Sequence, residues 1–150
     1  MTERVDFYIL KSAAAGQRWT FACRLVEKAY LRDLRIVIVN DTLADAQALD
    51  ELLWAFNERS FVPHKLCTDE RSPDAATPVH LIVEPTTAVD ADLLVNLCRG
   101  LPADWERYPR IAEIVDADEE RRRLGRERFK SYRDRKILPE THRLDETADV

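Results

Sequence analysis

Glycine is scarce in this sequence: three stand among 150 residues, Gly16, Gly100 and Gly125. A phosphate-cradling P-loop or a dinucleotide fingerprint needs two or three glycines within about six residues, because only a residue without Cβ lets the backbone approach phosphate so closely. Neither can be built here. Cysteine is equally sparse. Cys23, Cys67 and Cys98 are widely spaced and each sits among apolar neighbours, the pattern of reduced thiols used as small core hydrophobes, with no CxxC pair for zinc or redox chemistry. Long apolar runs are missing too. Nothing approaches the roughly 20 residues of a membrane span, and Met1-Thr2-Glu3-Arg4 lacks the apolar core of an export signal. A cytoplasmic protein without membrane contact is expected.

Catalytic signatures are thin. His64, His80 and His142 have no metal-ligand spacing, and His80 lies within an apolar run where a satisfied core histidine is expected. No GxSxG elbow, HExxH or Cys–His pattern occurs. With no nucleophile and base that can be named together, no catalytic residue is assigned, and neither a cofactor nor a metal is expected.

What is present is a folded domain. The chain is 45% hydrophobic and 34% charged, which suits one globular core and not a disordered segment. Val5–Leu10 reads as a short strand. From Trp19 the spacing changes, with Ala22, Cys23, Val26, Ala29 and Tyr30 on one helical face. Leu34–Val39 is a nearly continuous β-branched run of the kind covered on both faces. Thr42 and Asp45 resemble a capping box ahead of the stripe Ala46, Leu49, Leu52, Leu53 and Phe56. Strand, helix, strand, helix indicates a right-handed βαβ unit.

Beyond a polar loop at Asp69–Pro78, three more runs read as strands: Val79–Glu84, Leu93–Cys98 and Ile111–Val115. Gly100–Pro109 suggests a short helix or structured loop, Asp116 with Glu119 can open a final helix, and Pro139 can stop it. The expected fold is one three-layer α/β domain over 1–150. Its central sheet is mostly parallel and its topology Rossmann-like without a glycine-rich nucleotide loop. Residues 137–150 are expected to be a partly flexible polar tail.

Charge is distributed unevenly. The total is −5, yet Arg121–Lys136 holds nine basic residues against Glu127 and Asp134. A basic segment on an acidic body suggests a local anionic ligand, such as an acidic peptide, more than nucleic acid. At 100° per residue, Arg122, Arg126, Phe129, Lys130 and Arg133 fall within one arc of the final helix. The opposite side carries Leu124, Arg128, Ser131 and Arg135, with Tyr132 near its edge. Neither side is a continuous apolar stripe, so this helix is expected to be peripheral and held by anchors such as Leu124 and Tyr132. A lone aromatic among cations fits a binding face. A second cluster, Trp54, Phe56 and Phe61, crosses a helix end and the following loop. Phe56 continues the core stripe; Trp54 and Phe61 are open to either core or interface.

These segments resemble the DNA polymerase III chi subunit family. The matching pieces are DFYIL at the opening strand, LW followed by SFVPH within Leu53–His64, and RERFKSYR at Arg126–Arg133. The last two are far more specific than the βαβ pattern. The resemblance implies a non-catalytic accessory subunit whose nucleotide-binding-like fold binds no nucleotide. It would bridge the psi subunit of the clamp loader, in a 1:1 heterodimer, to the C-terminal tail of the single-stranded-DNA-binding protein, SSB. Carried over by motif, Val115, Arg126, Phe129, Lys130 and Arg133 would form the SSB-tail site, and Trp54 and Phe61 the psi-facing patch. The family motif has tyrosine where Phe129 stands, which removes a hydroxyl and keeps the packing. Contact with DNA would be only indirect. The competing expectations are direct binding of single-stranded nucleic acid by the basic helix, and a small-molecule or nucleotide enzyme using the crevice at the sheet's carboxyl ends.

Overall fold

The computed structural model describes residues 1–14, 16–59, 61–68, 72–84 and 89–144. Chain order is β1 (Arg4–Leu10), α1 (Gln17–Tyr30), β2 (Ile36–Asn40), α2 (Leu43–Ala55), β3 (His64–Leu66), β4 (Val79–Val83), β5 (Leu93–Asn96), a 3₁₀ turn (Trp105–Arg107), β6 (Arg110–Val115), α3 (Glu119–Asp134) and β7 (Glu140–Leu144). The seven strands form one sheet in the order β3-β4-β2-β5-β6-β1-β7, and every pairing is parallel.

Period-two alternation divides the strands between two cores. Ile36 and Ile38 of β2, Ala112 and Ile114 of β6 and Leu10 of β1 pack with Phe21, Val26, Leu49 and Leu53 of α1 and α2. Val37 and Val39, Ile111 and Val115, and Val5 and Phe7 face the opposite side, where Tyr132, Trp105 and Tyr108 complete a second core. Helices on both faces of a parallel sheet explain why the strands read as near-continuous apolar runs. The three layers and the parallel sheet agree with expectation.

Local signals hold at several points. The Thr42 hydroxyl accepts the Asp45 amide at 3.1 Å, the expected cap of α2. Cys23, Cys67 and Cys98 are buried and none is in a disulfide, and burial pushes the Cys23 thiol up to about 12. His80 is a core histidine whose Nε2 accepts the Asp74 amide at 3.2 Å; burial lowers its pKa. No helix among the described residues is long and apolar enough to cross a membrane.

Three expectations need correction. Asp118, not Asp116, caps α3, its carboxylate accepting the Arg121 amide at 2.9 Å; Asp116 instead grips the Arg121 guanidinium at 2.9 Å through both oxygens. His64–Leu66 forms a short edge strand where no strand is expected. Residues 140–144, read from sequence as part of a polar tail, form β7 and pair with β1 from Asp6↔Glu140 to Leu10↔Leu144. Polar side chains hold this strand. His142 Nε2 lies 2.8 Å from Asp6 Oδ1 and its ring stacks on Tyr8, while Arg4 joins Asp6 to Glu140. The rest of that tail, residues 145–150, lies outside the described residues, as do residues 69–71 of the expected polar loop.

Candidate functional site

The seat of α3 explains how a helix with no apolar stripe stays on the sheet. Glu113 points from the middle of β6 into the second core and is completely buried. Arg128 Nε donates to its Oε1 at 3.0 Å, Asn96 Nδ2 to its Oε2 at 3.0 Å, and the Tyr132 hydroxyl to the same Oε2 at 2.7 Å. Arg128 also donates to the Arg99 carbonyl at 2.7 Å. A carboxylate this deep is tolerable because each oxygen is met by a donor, one of them charged. Burial, then the Glu113 charge, raise the Tyr132 hydroxyl pKa. The sequence reading placed Arg128 opposite the basic arc, beside Leu124, without naming it an anchor; it is a buried anchor beside Tyr132. Leu124, the other expected anchor, is only half-buried. Gly125 is the third buried position of the helix, and a Cβ there would meet Val115 Cγ2 at 3.1 Å. Its absence lets α3 lie close upon β6.

With that face committed, α3 and β7 leave a groove of about 440 Å³ between them. Phe7, Ile9, Val115, Gly125 and Phe129 supply its apolar lining, and Arg122, Arg126, Thr141 and Arg143 its polar lining. Phe129 is partly buried, its ring tilted against Phe7 with centroids 5.3 Å apart. Among the described residues, three guanidinium groups and no carboxylate line the groove. Arg122 donates to the backbone carbonyls of Asp116 at 3.1 Å and Leu10 at 3.3 Å, contacts that orient its charge without neutralising it. The exposed side chain of Arg126 makes no hydrogen bond or ion pair with a described residue. Such a site suits a ligand with both negative charge and an apolar group.

Of the five residues the sequence reading groups here, the structure brings Val115, Arg126 and Phe129 together at the groove. Lys130 and Arg133 do not line it; both are exposed on α3. Arg122, Thr141 and Arg143 are lining residues beyond the five. Arg122 was in the predicted helical arc, whereas no local signal marks Arg143, which reaches the site only through the pairing of β7 with β1. The basic segment is also less free than its composition suggests. Arg121, Arg123, Arg128 and Arg135 are paired with Asp116, Glu120 and Glu127, Glu113, and Glu106 respectively.

The aromatic pair lies at the other end of the sheet. Trp54 is 50% exposed and Phe61 65% exposed, their ring centroids 5.3 Å apart. Trp54 also rests on His64, centroids 4.0 Å apart, and His64 is held by Val62 and Asp50 carbonyls at 2.7 and 3.0 Å. Phe56 is packed against the core, as expected. Among the described residues, Asp6, Glu140 and His142 place possible metal-ligating atoms within 4.8 Å of one another. Arg4 Nη2 already bonds Asp6 at 3.1 Å and Glu140 at 2.9 Å, so a guanidinium stands where a cation would compete.

Comparison with known proteins gives the chain its relatives. Residues 1–139 match the family model described as DNA polymerase III chi subunit, HolC. The DNA polymerase III subunit chi of Pseudomonas aeruginosa is 34% identical over 141 residues, covering 94% of this chain and 96% of that protein. Its Haemophilus influenzae counterpart is 27% identical over 134 residues, covering 89% and 92%. Among solved structures, the C-terminal domain of the DEAD-box protein Dbp5 matches with a TM-score of 0.61 over 95% of this chain and 90% of that one, at 13% identity. That last likeness is one of fold alone.

Proposed function

This chain belongs to the DNA polymerase III chi subunit family, and from that premise we propose that it is a non-catalytic, cytoplasmic adaptor linking psi, and so the clamp loader, to the C-terminal tail of SSB. The observation that carries the reading is the groove: three guanidinium groups around a phenylalanine-lined floor, with no carboxylate among the described lining residues. An SSB tail of the kind this family meets is acidic and ends in Ile-Pro-Phe. Its terminal ring fits against Val115, Phe7 and Phe129, and its carboxylates against Arg126, Arg122 and Arg143. Lys130 and Arg133 act at longer range, raising the positive potential along the helix without touching the buried end of the peptide.

The psi assignment rests on the pair Trp54 and Phe61, apolar rings left in solvent beside β3. Sheet order supports simultaneous engagement of both partners. The groove borders β7 and the rings adjoin β3, the two edge strands, so six strand spacings of about 4.8 Å, roughly 29 Å, separate those edges. One partner need not displace the other.

Calorimetric titration with an SSB-tail peptide tests the groove. A charge-assisted contact contributes about 1.5 kcal/mol, so Arg126→Ala weakens binding roughly tenfold. Arg126→Glu abolishes it, and rising salt weakens the wild-type interaction. Unchanged affinity in Arg126→Glu overturns the assignment. An oligonucleotide that binds as tightly as the peptide at moderate salt favours the single-strand reading instead.

A further inference from the structure

We propose that the groove between α3 and β7 also receives this chain's own residues 145–150, which compete from within the molecule for the site of the acidic partner. The inference rests on reading the groove as an acidic-peptide site, and the argument for the internal occupant is charge, reach and tethering. The segment reads Asp145-Glu146-Thr147-Ala148-Asp149-Val150, three carboxylates and no basic residue. It follows β7 directly, and Arg143, which lines the groove from β7, is only two positions before Asp145. Arg122, Arg126 and Arg143 meet no carboxylate among the described residues that line the groove. In sequence, this segment places three carboxylates within six positions of Arg143.

Reach is sufficient. Six residues extend up to about 20 Å, whereas the stretch of α3 from Arg122 to Phe129 that borders the groove rises only about 10 Å. A segment that turns back after Leu144 can run alongside it. Tethering does the rest. A short linker holds its end near the site at an effective concentration in the millimolar range, so individually weak, solvent-screened ion pairs give real occupancy. The partner's tail must then displace a resident competitor, and the contact remains easy to release.

The test compares three proteins by calorimetry with the same SSB-tail peptide: the full chain, a variant ending at Leu144, and a full-length variant carrying Asp145→Asn, Glu146→Gln and Asp149→Asn. The changes leave residues 1–144 intact, and the third protein keeps the chain length. Both altered proteins are expected to bind the peptide roughly three- to tenfold more tightly than the full chain at low salt, with the gap closing as salt rises. Amide resonances of Arg126, Phe129 and Thr141 are expected to move when the segment is removed or neutralised. Equal affinities with superimposable groove resonances overturn self-docking, as does a gain from truncation that charge neutralisation does not reproduce. Resonance changes without peptide binding to any of the three proteins support self-docking while overturning the adaptor reading, so the two failures are distinct.

Discussion

Arg126 and Arg128 stand two positions apart on α3, about 200° around the helix, in opposite environments. Arg128 is 6% exposed and its charge is met by the buried Glu113. Arg126 is exposed, borders the groove and meets no described carboxylate. The same side chain is a structural strut on one face and an open binding group on the other. The difference lies in where the opposite charge is. On the inner face β6 provides it; on the outer face it must come from another peptide. A helix this basic can therefore remain ordered and still present uncompensated charge.

The contrast is sharpest in stability. Removing one member of a buried ion pair strands the other, so Arg128→Ala is expected to destabilise the fold by about 3–5 kcal/mol. Arg126→Ala should stay within about 0.5 kcal/mol of wild type. Urea denaturation followed by circular dichroism checks both, and equal effects would erase the distinction drawn between the two faces. Replacing Glu113 and Arg128 together by Leu and Met is expected to be milder than Arg128→Ala alone, because no unpaired charge is left.

A smaller effect probes the same network from its hydroxyl. Tyr132→Phe removes the donor to Glu113 and keeps the ring contacts with Phe7 and Trp105. About 1.5–3 kcal/mol of stability should be lost, with peptide affinity nearly unchanged. A large loss of affinity in this variant would mean that the seat and the groove are coupled more tightly than their separate faces suggest.

The smallest effect appears with acid. Burial alone would raise the Asp116 carboxyl, but hydrogen bonds from Arg121 and the Asp118 amide outweigh it and hold its pKa below the ordinary value of 3.8. Asp6 is likewise lowered: burial opposes, and hydrogen bonds from Arg4 and His142 prevail. A carboxyl depressed in the folded state binds its proton more readily when unfolded. Its contribution is present at neutral pH and is lost as pH falls below about 4, through the folded value. Thermal melts of Asp116→Asn and wild type should therefore differ at pH 7 and converge towards pH 2. A constant difference across that range would remove the ionic origin.

Much of the architecture was readable from residue spacing. β1, β2, β4, β5 and β6 carry enough apolar, branched side chains to be seen as strands, and Thr42 with Asp45 announces α2. β3 and β7 carry no such signal. Edge strands bury little, and β7 (Glu140–Leu144) is held chiefly by its ladder to β1 and by the bonds of its His142 and Glu140 to Asp6 and Arg4, partners more than 130 positions away. The Glu113–Arg128 pair joins positions 15 apart across two elements. One clue was available: a glutamate inside Ile111–Val115, because a buried carboxylate demands a partner. Which of several arginines would answer it depended on the helix phase against the sheet.

By itself the sequence determined the α/β class, the lack of glycine-built nucleotide loops, a helix dense in cations, and the motifs shared with the chi family. These are properties of composition, period and local order. Only the tertiary structure decided which cations are spent on buried carboxylates and which remain open. It also set the second wall of the groove, because Arg143 meets Arg126 only when β7 pairs with β1. Charge is written along the chain, but its compensation is set by distance in space, and that distance is fixed by packing.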